Sequence, residues 1–201
     1  MVDLIPVEKI KAVEFVFPNH LKNLTNMIKK ENIMKFPLIV EKDHNIVLDG
    51  SHRHVFLLME GYHLAPVQFV DYMDEHIAVG THRIHRLIIN GPVNISKQEV
   101  IERGTTGNWF PPRTTRHFFP FLRTECNIPL SNLQKGEPRD VANHIAKANI
   151  CDEIDHNKHY IKEIEEETDE IIRYMEESRR TKKYLENQIE IMEGKMHDFP
   201  R

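Results

Sequence analysis

Cysteine, glycine, tryptophan and long apolar runs are all scarce in this 201-residue chain, and each scarcity removes a class of protein. Two cysteines, Cys126 and Cys151, cannot build a disulfide framework or a four-thiolate metal site, which points to a reducing compartment. The longest apolar runs, such as Phe36 to Val40 and Val55 to Met59, fall far short of the roughly 20 residues that cross a bilayer. Eight glycines and 11 prolines beside 40% hydrophobic and 29% charged residues exclude collagenous and wholly disordered chains. Near the start, Asp3, Glu8, Lys9 and Lys11 interrupt any apolar stretch of a secretory leader, so the expected location is the cytoplasm. What is left is a globular chain of one domain with an appendage, or of two small domains.

The formal charge of −4 is unevenly spread. Between Asp152 and Arg201 nine Lys/Arg stand against fifteen Asp/Glu, while ten of the 13 histidines precede that segment. An acidic tail repels phosphate backbones, and the chain shows neither a basic arm nor a helix-turn-helix pattern, so nucleic acid is not an expected partner.

Apolar spacing predicts short strands and helices in alternation. Ile5-Pro6-Val7 with Ile10 and Val13 reads as a short strand or extended segment, and Pro18-Asn19-His20 as punctuation. Leu21, Leu24, Met27 and Ile28 predict an amphipathic helix from His20 to Glu31. Phe36 to Val40 and Asn45 to Leu48, parted by the polar turn Glu41-Lys42-Asp43-His44, predict a hairpin. A helix from His52 to Glu60 stopped by Gly61 should follow, then a strand from Pro66 to Val70. Glu75 to Ile89 is compatible with a helix, broken by Asn90-Gly91-Pro92. Ser96 with Glu99 three residues on predicts a capped helix from Lys97 to about Arg103, then a loop from Gly104 to Asn108.

From Ile161 the pattern changes. Ile161, Ile164, Thr168, Ile171, Met175, Ser178, Lys182, Leu185, Ile189, Met192 and Met196 alternate spacings of three and four. That is the inner seam of a left-handed coiled coil about 54 Å long at 1.5 Å per residue, with Ser178 and Lys182 as polar interruptions. A single amphipathic helix folded back on its own domain is the alternative. So narrow a seam favours self-association.

Three stretches carry chemistry. Leu48-Asp49-Gly50-Ser51-His52-Arg53-His54 ends an apolar strand in Asp-Gly and starts a helix at once. A helix N-terminus offers free N–H groups and a positive dipole end to an anion, Gly50 permits close backbone approach, and His52 and Arg53 add donors. The same residues also read as a plain turn, with Asp49 or Ser51 as N-cap and the basic groups solvated. His52, His54 and His63 do not suggest a metal site, because i, i+2 positions on a helix point apart. The second stretch, Phe110 to Pro120, packs two hydroxyls, two guanidinium groups and an imidazole into Arg113-Thr114-Thr115-Arg116-His117. This is a dense donor set for phosphate or carboxylate, or else an exposed basic loop. Third, Glu14 sits among Val13, Phe15, Val16 and Phe17, so its carboxylate is either turned to solvent on a strand or held in a cleft with a raised pKa.

In this order the three stretches resemble the ParB/sulfiredoxin superfamily, whose phosphate-binding turn Asp-Gly-x-His-Arg here reads Asp49-Gly50-Ser51-His52-Arg53. Within it the chain is similar to the free L-serine kinases, known in archaea and as a siderophore-locus protein in staphylococci. Ile5-Pro6-Val7-Glu8-Lys9-Ile10 with Glu14 downstream resembles their N-terminal segment, in which a glutamate is the general base on the serine hydroxyl. Pro111-Pro112-Arg113-Thr114-Thr115-Arg116-His117 resembles their second signature, which holds the transferred phosphate and the amino-acid substrate. The resemblance runs from about residue 4 to residue 133.

It implies an α+β fold, a ParB/sulfiredoxin-like domain over 1–150 with a small mixed sheet and flanking helices, to which the seam adds a coiled-coil helix over 155–197. It implies phosphoryl transfer from ADP or ATP, with Mg2+, to the hydroxyl of free L-serine or a similar amino acid. The alternative is a nucleotide- or DNA-binding regulator without turnover. In the kinase scheme Glu14 takes the hydroxyl proton and Asp49 holds Mg2+ or orients that hydroxyl. Gly50, Ser51, His52, Arg53, Thr114, Thr115 and Arg116 bind the nucleotide and the moving phosphate, Arg113 and His117 bind the amino acid, and the seam joins two chains into a homodimer. The chain departs from the kinase pattern in its acidic coiled coil, its shorter middle and the lack of a tryptophan near Thr81-His82-Arg83. Its single tryptophan, Trp109, stands beside the second signature instead.

Overall fold

A computed structural model describes residues 2–81, 95–147 and 150–196. They form two compact units, one up to His156 and one from Asn157 onward. In chain order the elements are β1 (Asp3–Pro6), α1 (Pro18–Glu31), β2 (Ile33–Met34), β3 (Leu38–Glu41), β4 (Val47–Asp49), α2 (Ser51–Met59), β5 (Leu64–Val70), β6 (Ala78–Thr81), α3 (Lys97–Thr106), β7 (Thr115–Phe118), β8 (Ile128–Pro129) and α4 (Ile150–Met196). The architecture is α+β: a small mixed sheet, flanking helices and a long C-terminal helix.

The main sheet runs β1-β5-β3-β4. β3 is parallel to β5 and antiparallel to β4, and β1 closes the far edge antiparallel to β5. All four residues of β3 are buried, as a strand covered on both faces requires. Leu38 and Val40 pack with Leu21 and Ile28 of α1 and with Val55, Phe56 and Leu57 of α2. Ile39 points the other way, to Leu48, Tyr72, Val100 and Phe110, so strand alternation builds two cores on one sheet. The expected β3–β4 hairpin forms, and its turn is fastened by Glu41, only 2% exposed, whose carboxylate accepts the N–H groups of Asp43 and His44 at 2.6 Å each.

Several boundaries differ from the sequence pattern. α1 begins at Pro18, which occupies the first helical turn instead of punctuating the chain, because its missing N–H costs nothing there. The stretch compatible with a helix from Glu75 contains β6 instead, paired antiparallel with β7 from Ala78↔Phe118 to Thr81↔Thr115. Pairing with a distant strand overrides the local pattern. The remainder of that expectation, including Asn90-Gly91-Pro92, lies outside the described residues. Ser96 does cap α3, its Oγ accepting the Glu99 N–H at 3.1 Å. The helix then continues through Gly104, where a Cβ would meet the Ile46 side chain at 2.8 Å, and ends at Gly107 with φ 77°.

α4 is one continuous helix of 47 residues and starts at Ile150, earlier than the seam. Along the seam Ile161, Ile164, Ile171, Met175, Leu185, Ile189 and Met192 are exposed. Among the described residues no helix is long and apolar enough to cross a membrane.

Candidate active site

β4 ends at Asp49 and α2 begins at Ser51, which leaves Gly50 as the N-cap with φ 103°. That left-handed backbone favours glycine, and a Cβ there would sit 2.7 Å from Nη2 of Arg53 and 2.8 Å from Cδ2 of Leu38. Arg53 folds back over the turn: its Nη2 donates to Asp49 Oδ2 at 2.9 Å, and Nη2 of Arg123 lies 3.3 Å from Oδ1. Asp49 therefore gathers two guanidinium groups instead of capping the helix. No side-chain cap closes the first turn of α2, so its amides can face an anion.

α1 starts in the same way, with Phe17 as N-cap and no side-chain cap. The two helix starts are tied together. The Phe17 N–H donates to Nε2 of His52 at 3.1 Å, and the rings of His20 and His52 meet edge to face with centroids 4.4 Å apart. An imidazole whose Nε2 accepts carries its proton on Nδ1. Burial, and after it the positive neighbours His20, Arg113 and Arg53, push His52 down to about 3. His52 is thus neutral at pH 7 and joins the two positive helix ends.

Between β1 and α1 the chain runs beside Phe110: the Phe15 N–H donates to the Phe110 carbonyl at 3.0 Å and the Phe110 N–H to that of Val13 at 2.9 Å. This brings Glu14 to the turn before β7. In that turn Arg113 takes the left-handed φ of 55°, and Thr114 Oγ1 donates to the Pro111 carbonyl at 2.8 Å. Glu14 Oε1 accepts the Thr115 N–H at 2.5 Å and the Thr115 hydroxyl at 2.6 Å. Only 8% of Glu14 is exposed. Burial raises its pKa to about 7, against the pull of the Thr115 hydroxyl and of the backbone N–H groups of Thr115, Arg113 and Thr114. Of the two alternatives, the carboxylate is not turned to solvent on a strand but buried against Thr115.

On β7, Arg116 lays its guanidinium 5.1 Å from the Phe118 ring centroid. His117 Nε2 lies 2.9 Å from the Tyr72 hydroxyl, and the imidazole also meets the Leu48 backbone. Burial lowers its pKa to about 4, although Asp49 nearby opposes the shift. His117 so supports the end of β4. The two motifs, far apart in sequence, converge here, with Arg113 beside His52 and His117 beside Asp49.

His20, Tyr72 and Arg123 belong to this neighbourhood without having been singled out in the sequence. Pro18 at a helix start was a usable signal for His20. Tyr72 and Arg123 arrive by long-range packing and carry no local mark. Among the described residues no three or more His, Cys, Asp or Glu side chains converge as a metal site. The position expected to carry a tryptophan, near His82 and Arg83, lies outside the described residues. Trp109 packs on His144 and Phe15, with ring centroids 4.7 Å and 5.4 Å away.

No family model matches the chain. Over 105 residues it is 32% identical to the ATP-dependent L-serine kinase of Staphylothermus marinus, a match covering 50% of this chain and 40% of that relative's length. Among solved structures, a free serine kinase in complex with AMP superposes with a TM-score of 0.57 at 17% identity, covering 66% of this chain and 93% of the other. A glutamate-to-alanine mutant of a free serine kinase in complex with ADP gives 0.57 at 16% identity, covering 66% and 94%. SbnI from Staphylococcus aureus, truncated at its C-terminus, gives 0.56 at 16% identity, covering 71% and 92%. At such identities the likeness is one of fold, and over some two-thirds of its length this chain has the fold of the free serine kinases.

Proposed function

We propose that this chain is a small-molecule kinase that moves a phosphoryl group from ATP or ADP to the hydroxyl of free L-serine or a similar amino acid. The observation that carries this reading is Glu14, a buried carboxylate poised near neutrality beside the arginine-rich turns. A general base works best with a pKa close to the operating pH. The ATP-dependent L-serine kinase among its relatives, and the AMP and ADP complexes of the same fold, support the donor and the acceptor.

Glu14 accepts the proton of the acceptor hydroxyl as that oxygen attacks the terminal phosphorus. The bond from phosphorus to its bridging oxygen breaks, and ADP or AMP leaves. Arg53 and Arg116, with the amides of Gly50, Ser51 and the helix starts, offset the charge on the phosphoryl oxygens. His52 holds the two helix starts together, Thr114 fixes the turn and Thr115 orients Glu14. Arg113 takes the substrate carboxylate, and His117 supports Asp49 from below. The donor set does not fit a protein-held Mg2+: Asp49 has a guanidinium on each oxygen, so the ion would arrive on the nucleotide phosphates. In this reading residues 1–150 form a ParB/sulfiredoxin-like nucleotide- and substrate-binding part, and the seam of α4 makes the protein a cytoplasmic homodimer.

Phosphorus NMR with Mg2+, L-serine, and ATP or ADP in separate samples tests the activity. A phosphoserine resonance should appear with the wild type and be lost with Glu14→Gln. Nucleotide binding without phosphoserine would overturn the kinase in favour of a regulator that binds without turnover.

A further inference from the structure

Charge is segregated along α4. Glu163 to Glu170 holds six acidic residues and no base, whereas Arg179 to Lys183 holds four bases and no acid. In a parallel, in-register pair every residue faces its own copy, so each block would meet a block of like charge and Lys182 would meet Lys182 in the seam. The flanking pairs would be Glu167 with Ile172, Tyr174 with Arg179, Thr181 with Glu186 and Gln188 with Glu193. None of these joins opposite charges.

We propose that α4 pairs with a second copy of itself antiparallel, in the register centred on Arg173. This presupposes the homodimer proposed above and gives it an orientation. Ile161 then faces Leu185, Ile171 faces Met175, and the polar seam residues Thr168 and Ser178 share a layer. Ile164 faces Lys182, which enters the acidic block of the partner. At the flanks Lys158 faces Glu186 and Glu165 faces Arg179, so opposite charges meet four times in the dimer. Ile172 meets its own copy, as does Tyr174, which gives a role to two side chains that lie off the seam yet are 49% and 71% exposed. Beyond Leu185, Met192 meets Ile154, exposed at 56% and 45% respectively. The register also overlaps Ile150–Met196 end to end, since Arg173 is its middle residue. Sliding the partner one heptad opposes Glu165 to Glu186 in one direction and Lys158 to Arg179 in the other. Only the register centred on Arg173 matches the polar layer and the flanking charges together.

Pulsed electron paramagnetic resonance on the full chain tests this, with nitroxides at Arg173→Cys or at Asn187→Cys in a Cys126→Ser, Cys151→Ser background. Serine at 126 keeps a donor for the Met34 carbonyl. In the proposed register the two labels at 173 have no offset along the helix axes, while those at 187 are offset by about 42 Å at 1.5 Å per residue. Short distances at both positions would establish a parallel pair, and an axial offset of about 10 Å or more at 173, which a slide of one heptad or more produces at 1.5 Å per residue, would establish another antiparallel register. Either result overturns the proposal. A monomer by light scattering, with no dipolar coupling, would instead remove the homodimer itself. Independently, Glu165→Arg should weaken the dimer about tenfold, and adding Arg179→Glu should restore it, because the two positions face each other across the copies. Failure of the double variant to recover would also overturn the register.

Discussion

Replacing Thr115 by valine removes the hydroxyl that binds Glu14 and leaves the backbone N–H in place, so it isolates what sets the base. Burial lifts Glu14 from 4.5 to about 7, and the Thr115 hydroxyl is the largest of the contacts that hold it down. A hydrogen bond to a charged group contributes about 1.5–3 kcal/mol, and about 1.4 kcal/mol corresponds to one pKa unit, so the loss should carry Glu14 upward by about one unit or more. As the proposed base, Glu14 acts deprotonated. Wild-type kcat should therefore climb with pH and level off above about 7. In Thr115→Val the climb should lie about one unit higher, which is close to a tenfold loss at neutral pH recovered in alkaline buffer. Initial rates of phosphoserine formation across the pH range give both limbs, with Thr115→Ser as the variant that keeps the hydroxyl and the wild-type profile. A lower plateau with an unmoved limb would refute the reasoning, since Thr115 would then act on the phosphate and not through Glu14.

Asp49→Asn should raise the nucleotide KM about tenfold by releasing Arg53 and Arg123, and leave the Mg2+ concentration for half-maximal rate unchanged; a shift in that Mg2+ dependence would assign Asp49 to the metal. Gly50→Ala must place a Cβ at φ 103° and against Arg53 and Leu38, so urea unfolding should report a loss of about 2 kcal/mol, and a native midpoint would contradict the geometry. His54 is 1% exposed, and burial lowers its pKa from 6.5 to about 3, against the opposing pull of the Val7 backbone. With the folded value depressed, the unfolded chain takes up the proton first, so this contribution to stability is whole above about 6.5 and lost as pH falls toward 3. His54→Leu should accordingly flatten the fall of unfolding free energy below pH 6.5.

What the sequence revealed of this site was local. The strand ending in Asp49-Gly50 and the helix that follows are adjacent in the chain, and apolar runs flanking a glycine declare them. Ser96 and Glu99 mark a helix start for the same reason. Pro18 misled because the residue that stops a helix also suits its first turn. Ala78 to Thr81 became a strand through partners on β7 that no window around it contains. The environment of Glu14 was undecidable from strand alternation, because the hydroxyl and amide that hold it come from a residue 101 positions away. The engagement of Asp49 with Arg123 was hidden for the same reason, since the two are far apart in the chain. The long helix α4 was legible because its period is a property of one segment, and the pairing of its apolar seam belongs to the proposal above.

One consequence follows from the way burial has sorted the charges of the site. Burial depresses His52 and His117 to about 3 and about 4, so neither imidazole changes its charge across the physiological range. The groups left to meet phosphate are guanidinium side chains and helix amides, which stay donors at any pH the fold survives. Nucleotide affinity should therefore be nearly flat with pH once the nucleotide's own ionisation is complete. In the proposed kinase Glu14, with its value near 7, is then a group among the described residues through which pH enters turnover. A buried carboxylate gives up its proton least readily where no cation pairs with it, and among the described residues backbone amides and one hydroxyl hold Glu14. In the proposed kinase that arrangement keeps Glu14 basic enough to take a hydroxyl proton, while Arg53 and Arg116 serve the phosphates.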